Sequence, residues 1–321
     1  MNNYKPPYTI TSKILAQTSD IVELLSELKH TTGLLSTPKL RKKNRVKSIT
    51  GTLQIEGNSF SEEKVTSIIN GSKVLGTLRE ITEVQGAIEA YDFLEKYNHA
   101  NEKDLLLSHK KMMGKLLANA GTYRHTNVGV GGKEGVTHVA PPPHRVQSLM
   151  GELFGWLQST DEHLLIVSCI FHYEFEFIHP FSDGNGRVGR LWQSVILSHY
   201  KDIFAEIPIE SVVRDNQEKY YRALEASGSA GESTPFIEFM LGVILETLTN
   251  VPNNIPNNVP KDRLALILSE MQENTSITIK EMALNLEVNE KTIKRDIEQL
   301  KIGNRVERIG SARKGYWKVK S

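Results

Sequence analysis

The sequence predicts a mainly α-helical chain with one β-hairpin and a small C-terminal unit set apart by a linker. Three observations carry this expectation. Apolar residues recur at helical spacing through most of the first 250 positions. One stretch, TNVGVGGKEGVTHVAPPPH from Thr126 to His144, instead has alternating valines, four glycines and a closing triple proline, the pattern of a hairpin. VPNNIPNNVP, residues 251–260, then interrupts the chain with three prolines and four asparagines, a linker composition. Nothing alternates strands with helices, so no parallel sheet is expected.

In order, Ile14, Ile21, Leu24, Leu25 and Leu28 give residues 11–34 a helical stripe, and Pro38 opens a second helix at the favoured first-turn position. That helix carries Arg41, Lys42, Lys43, Arg45 and Lys47, read as a solvated face. Its end, SITGTLQIEGNSFS, places Thr52 and Glu56 one turn apart on one face with Gly57 as a stop. Asn58, Ser59 and Ser61 cap a short helix closed by Gly71. Helices are expected over Leu78–Tyr97, with Ile81, Val84, Ile88, Tyr91 and Leu94 inward, and over 102–118. Beyond the hairpin, Val146, Leu149, Leu153, Trp156 and Leu157 mark another. The run from His163 to Ile178 is apolar nearly all round, a buried helix that delivers His179 at its end; Glu174 and Glu176 are read there as exposed or capping, and His172 as a satisfied core residue. Helices containing Leu191 to Ile196, Tyr220–Tyr221, and Phe236 to Leu248 follow.

Past the linker, 61 residues hold 13 Lys and Arg against 9 Asp and Glu. Three short helical patterns there precede two alternating runs around Gly310 and Gly315, which looks like a winged helix-turn-helix domain. Asn289–Leu300 would be its recognition helix and Arg313–Lys314 its wing tip. Lys291, Lys294 and Arg295 suit phosphates or bases, whereas Glu290, Asp296 and Glu298 on the same helix favour protein contacts.

Overall charge excludes less than it permits: 39 Lys and Arg against 38 Asp and Glu leave no global field to argue for nucleic acid or a membrane. The single cysteine, Cys169, lies in an apolar run, forms no internal disulfide and suits a reducing cytosol. No stretch approaches the roughly 18 to 20 apolar residues that span a bilayer, and the N-terminus has no apolar leader, so a soluble, unprocessed cytoplasmic protein is expected.

The chemistry concentrates in HPFSDGNGRVGR, residues 179–190. Gly184 and Gly186 let the backbone turn and bring amide N–H groups against phosphate oxygens. Asp183 supplies a hard oxygen for Mg²⁺, which needs only one or two carboxylates beside substrate phosphates. A helix opening at Asn185 adds a positive N-terminus under the anion. Arg187 and Arg190 would share a helical face and fork onto phosphates. His179 is suited to take a proton near neutral pH.

These residues match at every specified position the Fic signature HxFx(D/E)GNGRxxR, and the chain resembles the Fic family. The resemblance implies a Fic-type helical bundle with a hairpin flap, and an adenylyltransferase that moves AMP from ATP onto a Tyr, Thr or Ser hydroxyl of a protein. TLQIEG resembles the family's inhibitory motif (S/T)xxxE(G/N), which implies that Glu56 aims at Arg190 and occupies the place of the γ-phosphate. Val136, Thr137 and His138 would pair with a target segment along the flap. In the family a tyrosine pair placed like Tyr220 and Tyr221 borders the adenosine, and packing is the competing reading. The site so assembled has His179 as catalytic base, with Glu56, Val136, Thr137, His138, Asp183, Gly184, Asn185, Gly186, Arg187, Arg190, Tyr220 and Tyr221 about the nucleotide and Asp183 on the metal. The expected division is an N-terminal helical region with the inhibitory motif (1–100), a Fic core (101–250), the linker (251–260) and the winged helix (261–321). Partners implied are a target protein, the chain itself as a target, a second copy in a homodimer, and DNA through residues 261–321. Removal of AMP at the same site, or a DNA-binding regulator whose Fic part senses nucleotide, are the alternatives.

Overall fold

Local chemistry at the helix ends sets most boundaries in the computed structural model, which describes residues 4–28, 38–132, 135–250, 261–286, 288–310 and 315–320. α1 (Ser12–Leu28) buries Ile14, Ile21, Leu25 and Leu28. α2 (Pro38–Ile55) closes on Gly57 at φ +89°, where Gly57 N–H bonds Gln54 O and Asn58 N–H bonds Leu53 O, each at 3.0 Å. These paired backward bonds satisfy the last carbonyls and need a left-handed residue, hence glycine. α3 (Glu62–Ile69) is capped by Ser61, and α4 (Leu78–Tyr91) opens on a reciprocal Thr77–Glu80 capping box.

α4 stops at Tyr91 rather than Tyr97, and a separate 3-10 turn, Leu94–Lys96, follows. Leu94 and Tyr97 are buried in that geometry, so the apolar stripe ran on through the change of helix type. α5 (Glu102–Met113) likewise ends before residue 118, with Gly114 as its cap.

β1 (Gly129–Gly132) and β2 (Gly135–Val139) form the hairpin, antiparallel, with an irregularity after Val130 that leaves Thr137 between the paired His138 and Val136. α6 (Pro143–Ser159) leads to α7 (Leu164–Ile178), the central helix, which packs against α6, α8 (Asn185–Tyr200) and α11 (Thr234–Thr249). Between α8 and α11 lie α9 (Ile209–Asp215) and α10 (Gln217–Ala230), and β2 touches α10. Glu210 on α9 is buried and accepts hydrogen bonds from Ser48 of α2 (2.7 Å), Tyr91 of α4 (3.0 Å) and Ser194 of α8 (3.0 Å). α2 meets α9 so closely that a Cβ on Gly51 would lie 2.8 Å from the Glu210 backbone. That contact fixes the end of α2 against α9, and Ser194 ties Glu210 in turn to α8.

Residues 1–252 form one compact unit and 253–321 another. The second holds α12 (Lys261–Glu273), α13 (Ile279–Asn285), α14 (Glu290–Ile302) and the antiparallel pair β3 (Val306–Ile309) and β4 (Tyr316–Val319) around Ile267, Met271, Met282, Ile293, Ile297 and Trp317. Asn289 caps α14 through the Thr292 N–H. The segment 251–260 and the Arg313–Lys314 pair lie outside the described residues. Among the described residues no helix is long and apolar enough to cross a membrane. The mainly helical fold with small hairpins agrees with the expected class.

Candidate active site

α7 ends on His179 in the left-handed region (φ 50°, ψ 60°), a conformation that costs a non-glycine residue roughly 1–2 kcal/mol. Arg124 holds it there. Its buried guanidinium donates to the carbonyls of His179 (2.8 Å), Ile178 (3.3 Å), Pro141 (2.6 Å) and Thr126 (2.9 Å), while its own N–H reaches Pro180 O at 2.9 Å. A cation over the last carbonyls of a helix is favourably placed, and this one also ties the base of the hairpin to the turn. Sequence reasoning missed Arg124 because GTYRHTN has no periodicity to mark it.

The turn itself is built from inside. Asn185 is buried, accepts the Phe181 N–H at 2.8 Å and donates to Phe181 O at 2.9 Å, so its amide is committed to the loop rather than offered to a ligand. Gly184 stands at φ +87°, and a Cβ there would lie 2.8 Å from Met113. A Cβ on Gly186 would lie 2.4 Å from Glu56 Oε1. His109, a second residue the sequence gave no reason to choose, stacks on Phe181 at 3.7 Å between ring centres. Its Nδ1 accepts the Gly121 N–H (2.8 Å), so Nε2–H donates to Asp183 O (3.0 Å). Burial keeps this imidazole neutral, with its pKa pushed down to about 4. The N–H groups of Asn185, Gly186 and Arg187 open α8 and have no carbonyl within the helix to accept them.

The two arginines are not free for a ligand. Arg187 donates to Asp183 Oδ1 (2.9 Å) and lies 3.8 Å from Glu83 Oε1, a residue of α4 not foreseen in the site. Glu83 also accepts from Asn58 Nδ2 (2.8 Å) and Arg79 Nε (3.1 Å). Arg190 is buried and donates through Nε to Thr52 Oγ1 (2.9 Å) and through one terminal nitrogen to Thr52 O (3.1 Å) and Glu56 Oε1 (2.7 Å). Burial alone would lower its pKa, and the Glu56 carboxylate reverses the sign and raises it. Both residues of the one-turn pair at the end of α2 therefore grip one arginine. The side chain of Asp183 is 41% exposed, and its Oδ2 lies 3.8 Å from Arg79.

Tyr220 and Tyr221 part company. Tyr220 is buried, meets Phe236, and its hydroxyl lies 3.1 Å from His172 Nε2, which makes it a packing residue. Tyr221 is 46% exposed with its phenol pKa raised by burial and by Glu56. The expected exposure of Glu174 and Glu176 is wrong. Glu174 is buried and accepts from Tyr4 (3.0 Å), and the Glu176 side chain is only 10% exposed, facing α8, while Phe177 beside it is exposed. Cys169 behaves as a core residue, its thiol pushed up to about 12 by burial. Val136, Thr137 and His138 take their places on β2, and their side chains lie outside the described residues.

A buried helix ending on a left-handed histidine, followed by an anion-ready turn and a helix bearing two arginines, defines a Fic-type centre. The comparisons agree. The Fic/DOC family model matches residues 99–197. A crystal structure of a Fic family protein from Desulfovibrio desulfuricans G20 is 37% identical, covers 99% of each chain and superposes with a TM-score of 0.77. The chain belongs to the Fic family. It is also 29% identical over 221 residues to a protein named protein adenylyltransferase Fic from Culex quinquefasciatus, covering 65% of this chain and 42% of that one. A protein adenylyltransferase fic-1 from Caenorhabditis elegans is 26% identical over 245 residues, 72% of this chain and 45% of that one. The chain thus spans less than half the length of each of these two relatives.

Proposed function

We propose that the protein transfers AMP from ATP to a hydroxyl of a protein side chain, and that Glu56 restrains this activity. The observation that carries the reading is the juxtaposition of His179 with the open N–H groups of residues 185–187 and the two buried arginines of α8. Phosphates of ATP would lie over these groups, with Arg187 and Arg190 on the β and γ positions once their carboxylate partners yield. His179 takes the proton of the target hydroxyl, whose oxygen forms a bond to the α-phosphorus as the bond to pyrophosphate breaks. Positioning and charge neutralisation supply most of the acceleration in such a transfer. Tyr221, exposed and electrostatically coupled to Glu56, is the member of the tyrosine pair left to meet the adenosine.

Asp183 fits Mg²⁺: its partly exposed carboxylate is a hard donor beside the glycine turn, and Mg²⁺ takes few protein carboxylates. Bound there, the ion would neutralise phosphate charge. Asn185 serves by fixing the turn. The target segment would add to the hairpin, whose backbone edge accepts a strand with little demand on sequence.

The test is isotopic. Full-length protein incubated with a host lysate is expected to label target from α-³²P-ATP and not from γ-³²P-ATP. Label from the γ position would make it a kinase-like enzyme and overturn the reading.

For residues 261–321 we propose a winged helix-turn-helix that binds DNA. Asp296, an acidic residue that argued against DNA, is buried in an ion pair with Arg263 and does not share the outer face of α14, while Lys294 and Arg295 are exposed. Binding of the full chain to duplex DNA is expected to weaken steeply from 50 to 200 mM salt, by about tenfold or more even for a few phosphate contacts. A salt-independent interaction would point to a protein partner.

A further inference from the structure

The inference concerns Glu176 and rests on the AMP-transfer reading above. Its carboxylate is enclosed between α7 and α8, and Oε1 has no hydrogen-bond partner, an arrangement that calls for a reason. Its two oxygens lie 3.9 Å from His172 Nε2 and 3.9 Å from His179 Nδ1. His172 has no proton to give it. Nδ1 of that ring lies 2.7 Å from Gln193 Oε1, which only accepts, so Nδ1 carries the hydrogen and Nε2 presents a lone pair, filled by the Tyr220 hydroxyl. Burial holds His172 in this neutral form, its pKa pushed down to about 3.

Room for the carboxylate is made by Gly189, where a Cβ would lie 2.6 Å from Glu176 Oε1. The left-handed turn at His179 folds the imidazole back over the last turn of α7, toward the same carboxylate.

We propose that Glu176 is the positioning residue of the base: its carboxylate accepts the His179 Nδ1 proton and presents Nε2, as a lone pair, to the target hydroxyl. The 3.9 Å separation shortens to a hydrogen bond when the site fills, as contacts of this kind often do between free enzyme and complex. When Nε2 takes the hydroxyl proton, the ring becomes a cation facing a buried anion. The carboxylate remains the acceptor throughout.

The groups that face Glu176 are His172 and His179 on α7, Arg190 on α8, Tyr220 and Tyr221 on α10 and Glu56 at the end of α2. Burial, opposed by Arg190 and aided by Glu56, pushes the Glu176 carboxyl up to about 8. The pair therefore titrates together. Above that range it holds one proton, on Nδ1, and Nε2 is open. Below it a second proton closes Nε2, whichever residue formally carries the charge.

The experiment uses full-length protein carrying Glu56→Gly, with Glu176→Gln or Gly189→Ala added, and reads kcat and the KM for ATP across pH. Glu176→Gln is expected to lower kcat by about ten- to a hundredfold with the KM for ATP unchanged, part of the whole effect of a general base. It is also expected to move the acid limb of kcat to lower pH, toward the ordinary histidine range, about 6.5, because the buried carboxylate that shares the proton is gone. Gly189→Ala, which displaces the carboxylate and keeps its charge, is expected to lower kcat in the same direction, and it stands in if the glutamine variant does not fold. An unchanged kcat and pH profile in either folded variant, or a loss confined to KM, overturns the proposal. An inactive Glu56→Gly parent sinks the function reading instead, so the two failures are separable.

Discussion

Glu56→Gly is expected to raise AMP transfer by about ten- to a hundredfold. Oε1 of Glu56 is 2.7 Å from the Arg190 guanidinium, which is buried, and a charge-assisted contact of this kind is worth about 1.5–3 kcal/mol. Removing it frees the arginine for a phosphate and withdraws negative charge from the path of the triphosphate. The structure adds a reason why the arginine does not wander once released: Nε remains on Thr52 Oγ1 and one terminal nitrogen on Thr52 O. On the proposed reading, the arginine that would meet the γ-phosphate is thus held by α2 even without the carboxylate. Arg190→Ala is not expected to mimic the gain, because it loses that anchor together with the restraint. Rates with labelled ATP should run Glu56→Gly, then wild type, with Arg190→Ala and the double variant both low. A Glu56→Gly rate equal to wild type would reduce TLQIEG to a helix end.

His179→Ala is expected to lower transfer by about 10² to 10⁴ while ATP binding persists, since the imidazole acts on the incoming hydroxyl and not on the phosphates. One structural complication needs a control. His179 is left-handed at φ 50°, and alanine there is strained, whereas asparagine tolerates that region. His179→Asn should therefore match the alanine variant in rate and exceed it in thermal stability. Labelling at the wild-type rate by either variant, in a background freed of Glu56, would remove His179 from the mechanism.

Several parts of the site were legible before any coordinates. The signature from 179 to 190 placed the glycine turn, the start of α8 at Asn185 and the positive φ at Gly184, because steric freedom and helix capping are properties of neighbouring residues. Thr52 and Glu56 were placed on one face of a helix ended by Gly57 for the same reason. The hairpin followed from composition. The errors had local causes too: the apolar stripe through Leu94 continued past the end of α4, since side-chain period does not report a switch to a 3-10 turn, and the helix expected to run to residue 118 stops at Met113 with Gly114 as its cap.

What the sequence by itself determined, then, is the local geometry of short stretches: a histidine at a helix end, a glycine turn, two arginines on the helix that follows and a helix closed by Glu56-Gly57. Only the tertiary structure decided their pairing. Arg190 meets Glu56 across 134 residues because Glu210 and the close contact at Gly51 lock α2 against α9 and α8. Tertiary packing also buried Glu174, left the Glu176 side chain only 10% exposed, and set Arg124 over the end of α7. Burial and partner choice depend on which helix covers which face, and residues that are silent in their own neighbourhood, such as Arg124, His109 and Glu83, acquire a place in the site only when the helices dock.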